Sequence, residues 1–348
     1  MNDYYDFEIR EANSSSGYVY SKIKELLSVC GLREEKLDYL IGIFDGDENA
    51  VACGGIDGET IKCIAVSPEY RRCGLFEKVV SHLETKLLCG GVENIKVFTK
   101  PENEQMFVSM GFSLVEKADK AIFLERGRPG ITEFVEGLMN IKKDGTSGAV
   151  VMNCNPFTNG HLHLVEYAAG QCDNLYVFVV EEDKSVFPFD VRLSLARKNT
   201  EHIKNAKVIP GGKYIISSSV FPSYFIKEYS DITRTHAELD LKIFARYVCP
   251  ALGITKRFVG EEPNDRVTAE YNRVMKEILG QNGIEQIIIE RKKDENGRII
   301  SASEVRKLLA ENDFAKVRSV VPEATYDFAV SDKGKEIIRK IWQIYGEK

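Results

Sequence analysis

The stretch Gly148-Ala-Val-Val-Met-Asn-Cys-Asn-Pro-Phe-Thr-Asn-Gly-His161, continued by Leu162-His-Leu-Val-Glu-Tyr-Ala-Ala169, reads as a hydrophobic strand, a turn and the start of a helix. The turn sets Thr158, Gly160 and His161 at a helix N-terminus. Backbone N–H groups there lack intrahelical partners and the helix dipole favours negative charge, so phosphate can bind. Gly160 lets a ligand approach the backbone closely. Thr158 and His161 can add donors to phosphate oxygens, and Asn155 and Phe157 belong to the same loop. His163 falls on the far side of the helix and reads as a packing or surface residue.

A second element lies about one domain downstream: Arg298-Ile-Ile-Ser-Ala-Ser-Glu-Val-Arg-Lys-Leu-Leu309. Ser301 and Ser303 open another helix, and Arg306 stands one turn in. Ser301 with Glu304 is also a capping box, which needs no ligand. The two elements together resemble the nucleotidyltransferase superfamily, which carries (H/T)-x-G-H after its first strand and I-S-x-(S/T)-x-x-R near its end. That resemblance implies that Asn155, Phe157, Thr158, Gly160, His161, Ser301, Ser303 and Arg306 bind ATP while an oxygen nucleophile attacks the α-phosphorus.

Apolar runs at 149–152, 175–180, 207–209, 257–259 and 286–289 alternate with helical segments. This predicts an α/β fold, a doubly wound parallel sheet with ligands at the C-terminal ends of its strands. The loop beginning Gly260-Glu-Glu-Pro-Asn-Asp falls at such an end, and Glu261, Glu262 and Asp265 are possible partners for a bound cation.

Ahead of this region the pattern changes. Gly127, Pro129 and Gly130 break the chain, and a short amphipathic helix follows with Ile131, Phe134, Val135, Leu138 and Met139 on one stripe. The expected division is residues 1–126, a linker at 127–147, and 148–348. In the first part, Ile64-Ala-Val-Ser-Pro-Glu-Tyr-Arg-Arg-Cys-Gly74 runs from a strand into a helix at 75–88, and Pro101-Glu-Asn-Glu-Gln-Met-Phe-Val-Ser-Met-Gly-Phe112 follows. Both are similar to the GCN5-related N-acetyltransferase fold, a mixed α/β domain whose turn holds the pyrophosphate of coenzyme A. By that resemblance Arg71, Arg72 and Gly74 would hold a coenzyme A-like arm. The sequence departs from the pattern at Phe76, where that family prefers glycine or alanine.

Three further segments extend the resemblance over nearly the whole chain: Glu181-Glu-Asp-Lys-Ser-Val-Phe-Pro-Phe-Asp-Val-Arg192, Ser217-Ser-Ser-Val-Phe-Pro-Ser-Tyr-Phe-Ile226 and Gly260-Glu-Glu-Pro-Asn-Asp-Arg-Val-Thr-Ala-Glu-Tyr-Asn272. With both domains, the chain resembles the citrate lyase ligase family. That family activates acetate with ATP and transfers the acetyl group to a thiol. The thiol ends a phosphoribosyl-dephospho-coenzyme A arm on the acyl carrier subunit of citrate lyase. The resemblance implies ATP as substrate with Mg2+ bridging its phosphates. Lys184 would neutralise acetate or the α-phosphate, with Arg192 reaching the same crevice. Phe187, Pro188, Phe189, Phe221, Pro222 and Tyr224 either shape an apolar methyl pocket or pack as core. Two other activities fit the motifs taken singly: adenylyl transfer to a phosphomonoester, and protein acetylation by the first domain.

Composition narrows the classes. The 348 residues carry a formal charge of −6, which disfavours a general nucleic-acid or anionic-membrane binder. No apolar run reaches membrane-spanning length, and the first residues lack a signal-peptide profile. The 8 cysteines form no C-x-x-C pair, the pattern of reduced thiols in a cytoplasmic protein and not of a zinc or disulfide framework. Cys154 lies in the phosphate loop, where a thiol reagent would be expected to block the site.

Overall fold

A computed structural model describes residues 7–12, 17–181, 184–217, 221–226, 228–261 and 266–345. The chain divides into two compact units, Met1–Phe134 with Pro222–Leu239, and Val135–Phe221 with Asp240–Lys348. The return of residues 222–239 to the first unit goes beyond the contiguous division read from sequence.

The first unit is built on a seven-stranded sheet of β1 (Glu8–Glu11), β2 (Tyr39–Phe44), β3 (Ala50–Asp57), β4 (Thr60–Val66), β5 (Asn94–Thr99), β6 (Ser113–Lys117) and β7 (Ile122–Gly127), in the order β1-β2-β3-β4-β5-β7-β6. Helices α1 (Tyr18–Val29), α2 (Leu75–Cys89) and α3 (Glu104–Ser109) complete it, and α4 (Ile131–Met139) follows β7. Neighbouring strands are antiparallel except β4 and β5. Ile41, Ile43, Val79, Leu83 and Leu124 form part of one buried cluster. A Cβ on Gly54 would fall 2.6 Å from Val79 Cγ1, so the glycine is what lets α2 lie this close to the sheet.

Parallel β4 and β5 pair at Thr60↔Lys96 and Ile61↔Val97 and then part. Parting strands leave backbone groups without ladder partners. Tyr224 enters this gap: its hydroxyl donates to the carbonyl of Phe98 at 3.4 Å and accepts from the N–H of Cys63. The segment is pinned by Arg33, whose N–H donates to the Tyr224 carbonyl at 2.9 Å. The Arg33 guanidinium reaches the carbonyls of Ser223 at 2.6 Å and Ile226 at 2.8 Å.

The second unit holds β8 (Ser147–Met152), β9 (Asn174–Val179), β10 (Ala206–Pro210), β11 (Ile254–Gly260) and β12 (Glu285–Ile289) in one parallel sheet, ordered β10-β9-β8-β11-β12. Its helices are α5 (Asn159–Ala169), α6 (Phe189–Thr200), the end of α7 (Tyr229–Ile243), α8 (Cys249–Leu252), α9 (Arg266–Gln281), α10 (Ala302–Ala310), α11 (Phe314–Val320), α12 (Glu323–Val330) and α13 (Asp332–Tyr345). The five strands are those the hydrophobic runs predicted. Val150, Val177 and Phe258 bury one face with Val165 and Ala168 of α5 and Leu195 of α6. On the other face Phe178 meets Phe244 edge-on, 5.9 Å between centroids. Phe244 opens a π-helical turn, Phe244–Val248, between α7 and α8. The chain runs outward from β8 through β9 to β10, then resumes on the other side of β8 with β11. The switch point, where doubly wound sheets open a crevice, therefore lies between β8 and β11.

Candidate active site

At the C-terminal end of β8, Thr158 is the N-cap of α5 and shares a reciprocal capping box with His161. Thr158 Oγ1 accepts from the His161 N–H at 3.3 Å, and the Thr158 N–H donates to His161 Nδ1 at 3.0 Å. A backbone N–H can only donate, so Nδ1 is the acceptor nitrogen and the proton of the neutral ring sits on Nε2. Burial, with the positive charge of Arg291 adding to it, lowers the His161 pKa to about 4. The ring is thus a neutral hydrogen-bond donor at physiological pH.

Thr158 is 1% exposed. N-cap geometry turns its hydroxyl inward onto His161. Phe157 is likewise fully buried, its ring 5.5 Å from that of His161. It is a core residue, and only its backbone faces the loop. Gly160 also stands close to the chain ahead of the second motif. A Cβ there would sit 3.1 Å from the Ile300 carbonyl, so the glycine admits the chain that leads into the second motif.

That motif meets the loop directly. Ser301 Oγ caps α10 by accepting from the Glu304 N–H at 3.1 Å. Arg306 donates to the carbonyl of Asn155 at 2.5 Å and to Ser303 Oγ at 3.1 Å. The Asn155 side chain in turn accepts from the Phe187 N–H at 3.1 Å. Asn155, Gly160, His161, Ser301, Ser303 and Arg306 are therefore gathered in one place by bonds and close approaches.

Arg192 has another task than reaching the crevice. Its guanidinium is 0% exposed and donates to the carbonyls of Phe187 at 3.0 Å, Asn153 at 2.7 Å and Val180 at 2.7 Å, and to Asn153 Oδ1 at 2.8 Å. It ties the ends of β8 and β9 to the start of α6. Asn153 also bonds Ser185 at 3.2 Å, and the neighbouring Lys184 is exposed.

Sequence reading missed Arg291, just beyond β12. Its Nε donates to the Glu261 carbonyl at 2.6 Å, joining the ends of β11 and β12, and its charge is felt at His161. The only signal was a cationic run, Arg291-Lys-Lys293, directly after a predicted strand. Among the described residues no group of three or more His, Cys, Asp or Glu is arranged to hold a metal ion. Glu262 and Asp265 lie outside the described residues.

A family model described as the citrate lyase ligase C-terminal domain matches residues 147–329, which include every motif residue above. The chain is 42% identical over 289 residues to the [Citrate [pro-3S]-lyase] ligase of Escherichia coli (strain K12), covering 81% of this chain and 82% of that one. It belongs to the citrate lyase ligase family. The Klebsiella pneumoniae member is 38% identical, with 82% and 85% covered. The Haemophilus influenzae member is 36% identical, with 85% and 90% covered.

The aromatic and proline residues that the sequence offered as pocket or core fall in both units. Phe187 packs with Ile300, Val305 and Leu308 in the second unit, whereas Pro222 and Tyr224 belong to the first. Cys154 is fully buried with a left-handed backbone, φ 56°, and burial raises its thiol pKa. It is shielded from the reagent expected to reach it. In the first unit Arg71, Arg72 and Cys73 are exposed, and Gly74 caps α2 at φ 70°. Phe76 faces away from that turn into the core, edge-on to Phe107 at 5.1 Å. No described helix is long and apolar enough to cross a membrane.

Proposed function

We propose that the second unit joins acetate to the AMP part of ATP and that the acetyl group then passes to the thiol of the phosphoribosyl-dephospho-coenzyme A arm on the citrate lyase acyl carrier, in the cytoplasm. An acetate oxygen attacks the α-phosphorus and the bond to the β-phosphate oxygen breaks, releasing pyrophosphate. The carrier thiolate then attacks the acetyl carbonyl, and AMP leaves. The observation that carries this reading is the contact between the two motifs. A neutral His161 with its proton on Nε2 stands where Arg306, Ser301 and Ser303 converge, an array of donors for phosphate oxygens as charge moves onto the leaving group. The names of the curated relatives point to citrate lyase as the protein acted on, and the acid and the carrier arm come with the family resemblance.

Asn155, Gly160 and the N-terminus of α5 would cradle the phosphates, and Lys184 would neutralise the α-phosphate. Magnesium would enter with the nucleotide as the counter-ion of its phosphates. Arg71, Arg72 and Gly74 would hold the pyrophosphate of the carrier arm, since exposed guanidinium groups beside a helix N-terminus suit such an anion.

The test is acid-dependent exchange of labelled pyrophosphate into ATP, with acetate, propionate, citrate or no acid. Acetate-dependent exchange that disappears in His161→Ala supports the adenylate step. Propionate should be a weaker alternative, one methylene being worth only ~1–3 kcal/mol. Turnover with a phosphomonoester and indifference to acetate would instead favour adenylyl transfer. Arg71→Ala with Arg72→Ala should raise the carrier KM and leave exchange intact.

A further inference from the structure

Beyond β12 the chain folds back as a short hairpin. Lys293 bridges Ile299 in antiparallel fashion, and the Ile300 N–H donates to the Lys292 carbonyl at 3.0 Å. Ser301 is thereby returned to the C-terminal end of the sheet, with the carbonyl of the preceding Ile300 against Gly160. Arg291 stands at the root of this hairpin, between β12 and Lys292. It adjoins the backbone that brings the second motif to the first.

Its side chain leans across the neighbouring strand. A Cβ on Gly260, the last residue of β11, would lie 3.9 Å from Arg291 Nε and 4.0 Å from its Cγ, and Nε donates to the Glu261 carbonyl at 2.6 Å. On its other side β11 pairs with β8. The guanidinium therefore reaches from β12 over the end of β11, towards the switch point between β11 and β8. There it is close enough for its charge to act on the His161 ring. Burial depresses the guanidinium pKa, and the charge of Glu261 offsets that only in part. A cation in this condition is favoured by an incoming anion.

The phosphate site calls for such a charge. His161 is neutral, Ser301 and Ser303 are uncharged, and Arg306 is engaged by the Asn155 carbonyl and Ser303. The group displaced from ATP gathers negative charge as its bond to the α-phosphorus breaks, and a guanidinium meets it better than neutral donors do. We propose that Arg291 binds the β- and γ-phosphates of ATP, and the pyrophosphate they become, beside His161. The proposal rests on the ATP reading above and not on the identity of the acid. Anchoring of Nε by the Glu261 carbonyl fixes the plane of the guanidinium, and a fixed planar fork matches adjacent phosphate oxygens better than a mobile ammonium.

The experiment measures by calorimetry the binding of AMP, and of ATP with magnesium, to wild type, Arg291→Lys and Arg291→Met. We expect the ATP Kd to rise at least about tenfold in Arg291→Met and less in Arg291→Lys, while the AMP Kd changes less than about twofold in both. Equal weakening of AMP and ATP would make Arg291 only a brace for the end of β11, and no change in either would set it outside the site. Each of these results overturns the proposal. Should Arg291→Met fail to fold, the wild-type protein still decides the matter. ATP, more than AMP, should shift the Arg291 Nε–H resonance in 15N-labelled protein, and a resonance that responds equally to both or to neither overturns the proposal. A wild type that binds no ATP overturns the nucleotide reading and this proposal with it. ATP binding without acid-dependent exchange overturns acid activation alone, and the Kd comparison then still decides the role of Arg291.

Discussion

The guanidinium of Arg306 and the backbone carbonyl of Asn155 are 2.5 Å apart, although the residues are 151 positions apart in sequence. The second motif thus braces the first. Arg306→Ala should lower kcat/KM for pyrophosphate exchange by about 100-fold or more. Arg306→Lys should recover little, because one ammonium cannot span both Asn155 and Ser303 as the fork does. Recovery to near wild-type rates in the lysine variant would show that charge alone suffices.

His161 should leave no limb near pH 6.5 in the activity profile, since its pKa is lowered to about 4. Its effect on stability has a definite sign. Between the ordinary value of 6.5 and about 4 the unfolded chain binds a proton that the folded chain does not. Folding stability therefore falls as pH is lowered through that window and levels off below it, at a cost of at most about 3 kcal/mol. Urea titrations at pH 7.5 and 4.5 should show this loss in wild type and a smaller one in His161→Asn. Equal losses in both proteins would refute the assignment.

Alkylation should discriminate among the cysteines. Cys73 and Cys89 are exposed, whereas Cys53, Cys63, Cys154 and Cys249 are buried with thiol pKa values raised by desolvation. Iodoacetamide on the folded protein should label the first two and spare pyrophosphate exchange. Peptide mapping that finds Cys154 modified before unfolding would contradict the buried loop geometry.

Arg192→Met should destabilise the protein by about 3 kcal/mol, leaving acceptors at Asn153, Val180 and Phe187 buried and unpaired. Because those acceptors shape the phosphate loop, the ATP KM should rise as well. A stable variant with raised KM would assign Arg192 directly to the nucleotide.

The sequence made the second sheet and its phosphate loop legible because both depend on local pattern: apolar runs of strand length, and Thr158, Gly160 and His161 at fixed offsets from a helix start. Ser301 and Arg306 were readable for the same reason. What it hid depends on partners brought from afar. Arg192 has the spacing of a crevice residue, and nothing local reveals the three carbonyls that enclose it. Cys154 looks accessible until a positive φ turns it inward. Gly160 was read against a ligand, and the structure also sets the Ile300 carbonyl against it. Arg291 sits in a basic run that resembles a solvated surface.

The closure of the β4–β5 gap by Tyr224 also has a consequence for how the chain is made. The first 134 residues emerge from the ribosome before the segment that completes their unit, so that gap stays open in the nascent chain until Tyr224 has been synthesised. A gene truncated after Phe134 encodes a unit without its own wedge. Excising that unit intact requires a permuted chain in which residues 222–239 are stitched back to the strands they separate.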